Sequence, residues 1–121
     1  MDKIRVIFLF LVLTVVATAF RDDRVVTIFM IGDSTMPNKD TSGDKQERGW
    51  GMMLQECFDE NIRVDNHAVN GRSSLSFINE GRWDRVLEKL RPGDYVVIQF
   101  GHNDEKPKPD RHTEPGSTFD A

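Results

Sequence analysis

Two nearly continuous apolar runs, each closed by a glycine and a cluster of polar residues, limit what this chain can become. Residues 25–31 read VVTIFMI and lead into Gly32-Asp33-Ser34, and residues 95–100 read YVVIQF and lead into Gly101-His102-Asn103-Asp104. Half-exposed strands alternate apolar and polar residues, whereas strands covered on both faces do not, so both runs are expected as central strands of a parallel sheet. Between them, Trp50, Met53, Leu54, Cys57 and Phe58 recur at the spacing of one helix face, and Trp83, Val86, Leu87 and Leu90 repeat the device. A weaker strand over 63–69 separates the two helices and ends at Asn70-Gly71, and Arg91-Pro92-Gly93-Asp94 stops the second helix with a turn. The order β-α-β-α-β predicts an α/β fold of three αβα layers around a parallel sheet, with right-handed crossovers.

The first residues are expected to stand apart from that domain. Lys3 and Arg5 precede an uncharged stretch from Val6 to Phe20, and Ala17-Thr18-Ala19 has the small residues a signal peptidase accepts, so residues 1–19 read as a cleaved export signal and residues 20–121 as the mature chain. The stretch is shorter than the roughly 20 apolar residues of a spanning helix, which favours cleavage over anchoring. The expected location is secreted or periplasmic, with no membrane association after cleavage. The 121 residues carry 16 Lys and Arg against 20 Asp and Glu, and losing the leader makes the balance more negative, which argues against nucleic acid as a partner. Cys57 is the single cysteine and its place in the apolar stripe predicts a packed thiol; the three histidines and one cysteine show no zinc-ligand spacing.

Ligands of open α/β sheets collect outside the carboxyl ends of the strands, and three such ends here offer a serine, a glycine amide and an asparagine amide. Acyl transfer by serine needs a base to take the hydroxyl proton and donors aimed where the carbonyl oxygen becomes negative. The N–H groups of Ser34 and Gly71 and the side-chain amide of Asn103 could supply the donors if the strand ends are adjacent. The nucleotide-binding alternative fails, since no phosphate loop ending in Gly-Lys-Ser or Gly-Lys-Thr follows the first strand. Gly71-Arg72-Ser73-Ser74-Leu75 also lacks the last glycine of a G-x-S-x-G elbow.

The blocks Gly32-Asp33-Ser34-Thr35-Met36, Asn70-Gly71-Arg72-Ser73-Ser74 and Gly101-His102-Asn103-Asp104, in this order, resemble the first three sequence blocks of the SGNH (GDSL-type) hydrolases. Glu47-Arg48-Gly49-Trp50-Gly51 and the residues following Asn103 are most similar to its rhamnogalacturonan acetylesterase branch. The resemblance implies a flavodoxin-like sheet, Ser34 as nucleophile, and an oxyanion hole of Ser34, Gly71 and Asn103, with no metal or cofactor. It implies an exported esterase acting on acetylated plant cell-wall polysaccharide such as rhamnogalacturonan. Asp33, Arg72 and His102 are candidate substrate contacts; Arg72 could hold a uronate carboxylate or be solvated, and Trp50 could stack on sugar or pack in the core.

The base of that family is a histidine in a D-x-x-H block toward the carboxyl end, with its aspartate orienting it. Asp110-Arg111-His112 has a different spacing, and His67, inside the weak strand, is expected to be packed or solvated. Three strands leave apolar faces poorly covered, and Ser117 to Ala121 look like the opening of a helix. The expectation is therefore an amino-terminal portion of an SGNH domain, weak or inactive as it stands. The alternative is a non-catalytic glycan-binding or degenerate SGNH-like protein.

Overall fold

The computed structural model describes residues 2–19 and 24–118. Helix α1 (Lys3–Ala19) covers the apolar run of the expected leader, and no helix among the described residues is long and apolar enough to cross a membrane. Phe20, the residue after the expected cleavage point, and Phe119 to Ala121 of the expected terminal helix lie outside the described residues.

Strands β1 (Val26–Gly32), β2 (Ile62–Asn66) and β3 (Tyr95–Gln99) form one parallel sheet in the order β2-β1-β3. Ile28 pairs with Val64 on one side and Tyr95 on the other, so β1 is central and its side chains alternate between two covers. Phe29 and Ile31 pack with Phe77 and Val86, while Met30 packs with Met36 and Ala68. This double cover explains why residues 25–31 show no polar alternation. Strand β3 departs from the expectation: it lies at an edge of the described sheet, with Tyr95 and Ile98 exposed.

The crossover from β2 to β3 supplies one cover through α2 (Ser74–Asn79) and α3 (Arg82–Leu87). Helix α2 was not expected. Ser73 caps it by accepting from Ser76 N at 3.2 Å while Ser73 N donates to Ser76 Oγ at 2.9 Å, a reciprocal box with serine where glutamate is usual. The stripe of α3 is largely as expected, with Val86 buried and Trp83 and Leu90 against the core, though Leu87 is exposed.

The other crossover corrects the helix expected over 50–58. It consists of two short 3-10 turns, Trp50–Met52 and Leu54–Cys57, bonded through Met53 N to Trp50 O and Glu56 N to Met53 O. With three residues per turn, positions i, i+3, i+4 and i+7 no longer share a face. Leu54 reaches the core, but Cys57 is exposed rather than packed, and Trp50 and Met53 are exposed as well. The tight winding serves the sheet edge: Gln55 Nε2 donates to Ile62 O at 2.9 Å and its Oε1 accepts from Val64 N at 2.8 Å, closing the outer edge of β2.

Asp94 fastens the opposite end of the sheet. Its side chain, 3% exposed, accepts from Thr27 N at 3.0 Å and Arg91 N at 2.9 Å and lies 3.3 Å from Arg24 Nη1. The Thr27 amide first, then the Arg91 amide and the Arg24 charge, hold this carboxyl below the usual aspartate range. Its stabilising effect is complete above about pH 4, the unfolded value, and is lost as pH falls through the lower value in the fold. Asp94→Asn should therefore lower the urea midpoint at neutral pH, with the difference from the parent shrinking as pH falls below about 4. Phe77→Ala, which empties a side chain 1% exposed between the sheet and α2, should cost about 3–5 kcal/mol in the same denaturation assay.

Candidate active site

Three loops leave the carboxyl ends of the strands, and backbone hydrogen bonds bring them together. Val69 N donates to Gly32 O at 3.0 Å and Asp33 N donates to Gln99 O at 3.1 Å, so the residues after β1 are held to both neighbours. Gly32 is required there: a Cβ at this position would stand 2.6 Å from Gln99 O. Asn103 Nδ2 donates to Arg72 O at 3.0 Å, joining the β3 loop to the β2 loop one residue past Gly71.

Ser34 occupies the turn after β1, half-buried, and neither its N–H nor its Oγ has a hydrogen-bond partner among the described residues. Asp33, considered above as a substrate contact, is buried at 3% exposure, and its Oδ1 accepts from Thr35 N at 3.3 Å and Thr35 Oγ1 at 3.2 Å. Thr35 continues the brace. Its Oγ1 accepts from Gln99 Nε2 at 2.7 Å, and Gln99 Oε1 accepts from Trp50 Nε1 at 2.6 Å. Trp50 is thus a polar-tipped surface residue beside this turn, not a core residue.

Gly71 adopts φ +73, a conformation that disfavours side chains, and its N–H has no partner among the described residues. The nearest atom to the position of an added Cβ is Arg111 Nη1, at 3.7 Å. Arg72 is tied inward: Nη1 donates to Asn70 O at 2.9 Å and Nε to Glu80 Oε2 at 3.2 Å. Arg82 foremost, with Arg72, holds the Glu80 carboxyl below its usual range. Lys39, its side chain 5% exposed, bridges Glu47 Oε1 at 2.7 Å and Asn70 Oδ1 at 2.6 Å.

Asn103 is 1% exposed. Asp104 pins its loop, accepting from Ser74 N at 3.0 Å, Gly101 N at 3.1 Å and Thr113 Oγ1 at 3.2 Å, with the Ser74 hydroxyl as a further donor. His102 is exposed. His67 lies with its ring 6.0 Å from that of Phe29 and its Nε2 3.1 Å from Asp65 Oδ2, close enough for an ion pair but without a well-directed hydrogen bond. Burial opposes the charge of Asp65, yet His67 and Lys89 together hold its carboxyl below the usual range. His112 Nε2 lies 3.3 Å from Glu114 Oε1. No described histidine is hydrogen-bonded to Ser34 Oγ.

Lys39, Gln99 and Lys106 were missed as site-building residues, and Asp104, though quoted within the third block, was given no role. A cavity of about 500 Å³ opens at the amino ends of the strands, lined by Arg24, Arg63, Asp65, Lys89 and Asp94, and contains none of the residues at the carboxyl ends. No group of three or more His, Cys, Asp or Glu among the described residues could hold a metal ion.

This chain is similar to several proteins of Bacillus subtilis. The rhamnogalacturonan acetylesterase RhgT of Bacillus subtilis (strain 168) is 43% identical over 96 residues, covering 79% of this chain and 40% of the relative. The probable rhamnogalacturonan acetylesterase YesY of the same organism is 44% identical over 94 residues, covering 76% and 42%. The crystal structure of the YxiM protein of Bacillus subtilis superposes with a TM-score of 0.63 at 36% identity, over 68% of this chain and 23% of that one. The chain thus spans about two fifths of the length of the curated relatives it matches. Residues 30–119, which include the end of β1, all of β2 and β3 and all three strand-end blocks, match the GDSL-like lipase/acylhydrolase family, and the chain belongs to it.

Proposed function

We propose that this chain supplies the nucleophile and oxyanion donors of an exported esterase that removes acetyl groups from a pectic polysaccharide such as rhamnogalacturonan. One observation carries the reading: Ser34 and Gly71 hold N–H groups without acceptors among the described residues, on loops bonded to each other, and Asn103 is bonded to the residue after Gly71. The names of the relatives supply the substrate class. Residues 1–19 would be the leader that takes the protein to the periplasm or the medium.

In this mechanism Ser34 Oγ attacks the acetyl carbonyl carbon and gives up its proton to a base. The developing oxyanion accepts hydrogen bonds from Ser34 N, Gly71 N and Asn103 Nδ2. Collapse expels the sugar hydroxyl, which takes the proton, and water then releases acetate from the acyl-serine by the reverse sequence. The step requires an imidazole at Ser34 Oγ. The D-x-x-H block implied by the family resemblance fits that role, whereas His67 and His112 are drawn toward acidic partners of their own. These 121 residues alone are accordingly expected to be feeble catalysts, in the range of the roughly 1000- to 10,000-fold over water that remains when a triad member is lost.

A second reading, a glycan-binding protein without turnover, is favoured by the same lack of an imidazole bonded to Ser34. The two separate in one experiment on the full-length protein. Acetate release from acetylated rhamnogalacturonan, abolished by Ser34→Ala and reduced about 100- to 1000-fold in kcat by Asn103→Ala, supports the esterase. Oligosaccharide binding with no acetate released, and no fluorophosphonate adduct on Ser34, supports the binding protein.

A further inference from the structure

The carboxamide of Asn103 has two fixed neighbours. Its Nδ2 donates to Arg72 O at 3.0 Å, and its Oδ1 accepts from Lys106 Nζ at 2.8 Å. A backbone carbonyl only accepts and an ammonium only donates, so the two contacts together allow a single orientation of the amide. The reversed amide would face N–H against ammonium and oxygen against carbonyl. Lys106 N also donates to Asn103 O at 3.3 Å, within the turn opened by Glu105 N to Gly101 O, which carries the lysine stem back alongside Asn103. Lys106 is half-buried, and its ammonium has no carboxylate within ion-pairing distance among the described residues, so its charge is directed at a neutral amide.

We infer that Lys106 is a positioning residue of the proposed esterase site, locking the Asn103 amide with Nδ2 toward the Gly71–Arg72 loop and strengthening it as a donor to the oxyanion. This inference rests on the esterase reading above. A cation on the amide oxygen draws electron density from nitrogen through conjugation, which makes the second Nδ2–H a better donor; charge-assisted bonds polarise their neighbours in this way. Lys106 transfers no proton and makes no bond to substrate.

The test compares Lys106→Met, Lys106→Arg, Asn103→Ala and the Asn103→Ala/Lys106→Met double variant on the full-length protein, with an aryl acetate as substrate. Lys106→Met should lower kcat about tenfold or more, less than the 100- to 1000-fold expected for Asn103→Ala, with KM nearly unchanged. Lys106→Arg, which keeps a cationic donor, should restore most of the rate. In the Asn103→Ala background the lysine substitution should add nothing, because its effect passes through the amide. A kcat for Lys106→Met within twofold of the parent, or a full multiplicative loss in the double variant, overturns the inference while leaving the esterase reading in place. Near-normal Asn103→Ala activity overturns the oxyanion assignment and this inference with it. If Lys106→Met does not fold, Lys106→Gln, which keeps a donor to Asn103 Oδ1 but not the charge, carries the comparison: a kcat several-fold below that of Lys106→Arg supports the inference, and one equal to it overturns it.

Discussion

Everything at the carboxyl edge of this sheet depends on how closely the backbone passes Gly32. Gln99 O stands 2.6 Å from where a side chain would begin, and the adjoining bond from Asp33 N to Gln99 O continues the pairing of β1 with β3 past the end of the strand. On the other side Val69 N reaches Gly32 O. A side chain at position 32 would push these strands apart where their loops diverge, and the serine two residues on would lose its fixed relation to the glycine and asparagine of the other loops. Rigid strands thus give the loops that carry Ser34, Gly71 and Asn103 their precision.

That arrangement was legible because it follows from a rule with few exceptions. Continuous apolar runs such as residues 25–31 are covered on both faces, parallel strands need crossovers, and crossovers place loop residues at the carboxyl ends. The sequence alone places Ser34, Gly71 and Asn103 on three loops. The misreadings occurred where local periodicity met a tertiary demand that the sequence does not announce. The stripe from Trp50 to Phe58 fits an α-helix, but Gln55 has to reach the main chain of β2, and Gly51 runs so close to Met36 that a Cβ there would stand 2.6 Å from Met36 O, so the backbone winds more tightly and the stripe loses its common face. Helix α2 escaped notice for the opposite reason. Its signal is a serine pair at the cap, with only six residues to show any period.

The polar residues that brace the site were illegible for a different reason. Lys39 and Gln99 are ordinary surface residue types lying in a loop and at a strand end, and what makes them structural is the long-range partner each finds. Lys39 meets Asn70 across 31 residues, and Gln99 meets Thr35 across 64. Such contacts are worth little singly at a surface, but a nearly buried ammonium at 5% exposure is costly unless its partners are in place. The same logic applies to Asp104, whose four donors come from three segments of chain. A carboxylate so occupied is a fastener rather than a reagent.

Counting which groups are occupied therefore separates framework from chemistry. In the turn after β1, the N–H groups of Asp33, Thr35 and Met36 all find acceptors among the described residues, and that of Ser34 does not; after β2, those of Ala68, Val69 and Arg72 do, and those of Asn70 and Gly71 do not. Backbone donors away from bulk water are nearly always satisfied, so unmatched N–H groups on adjoining loops are positions where an external acceptor gains most. Arg72 and Asp33, attractive as substrate contacts by residue type, have side chains already engaged within the fold. The groups left unengaged are a hydroxyl and amide donors, which is the complement an ester carbonyl requires as it becomes tetrahedral.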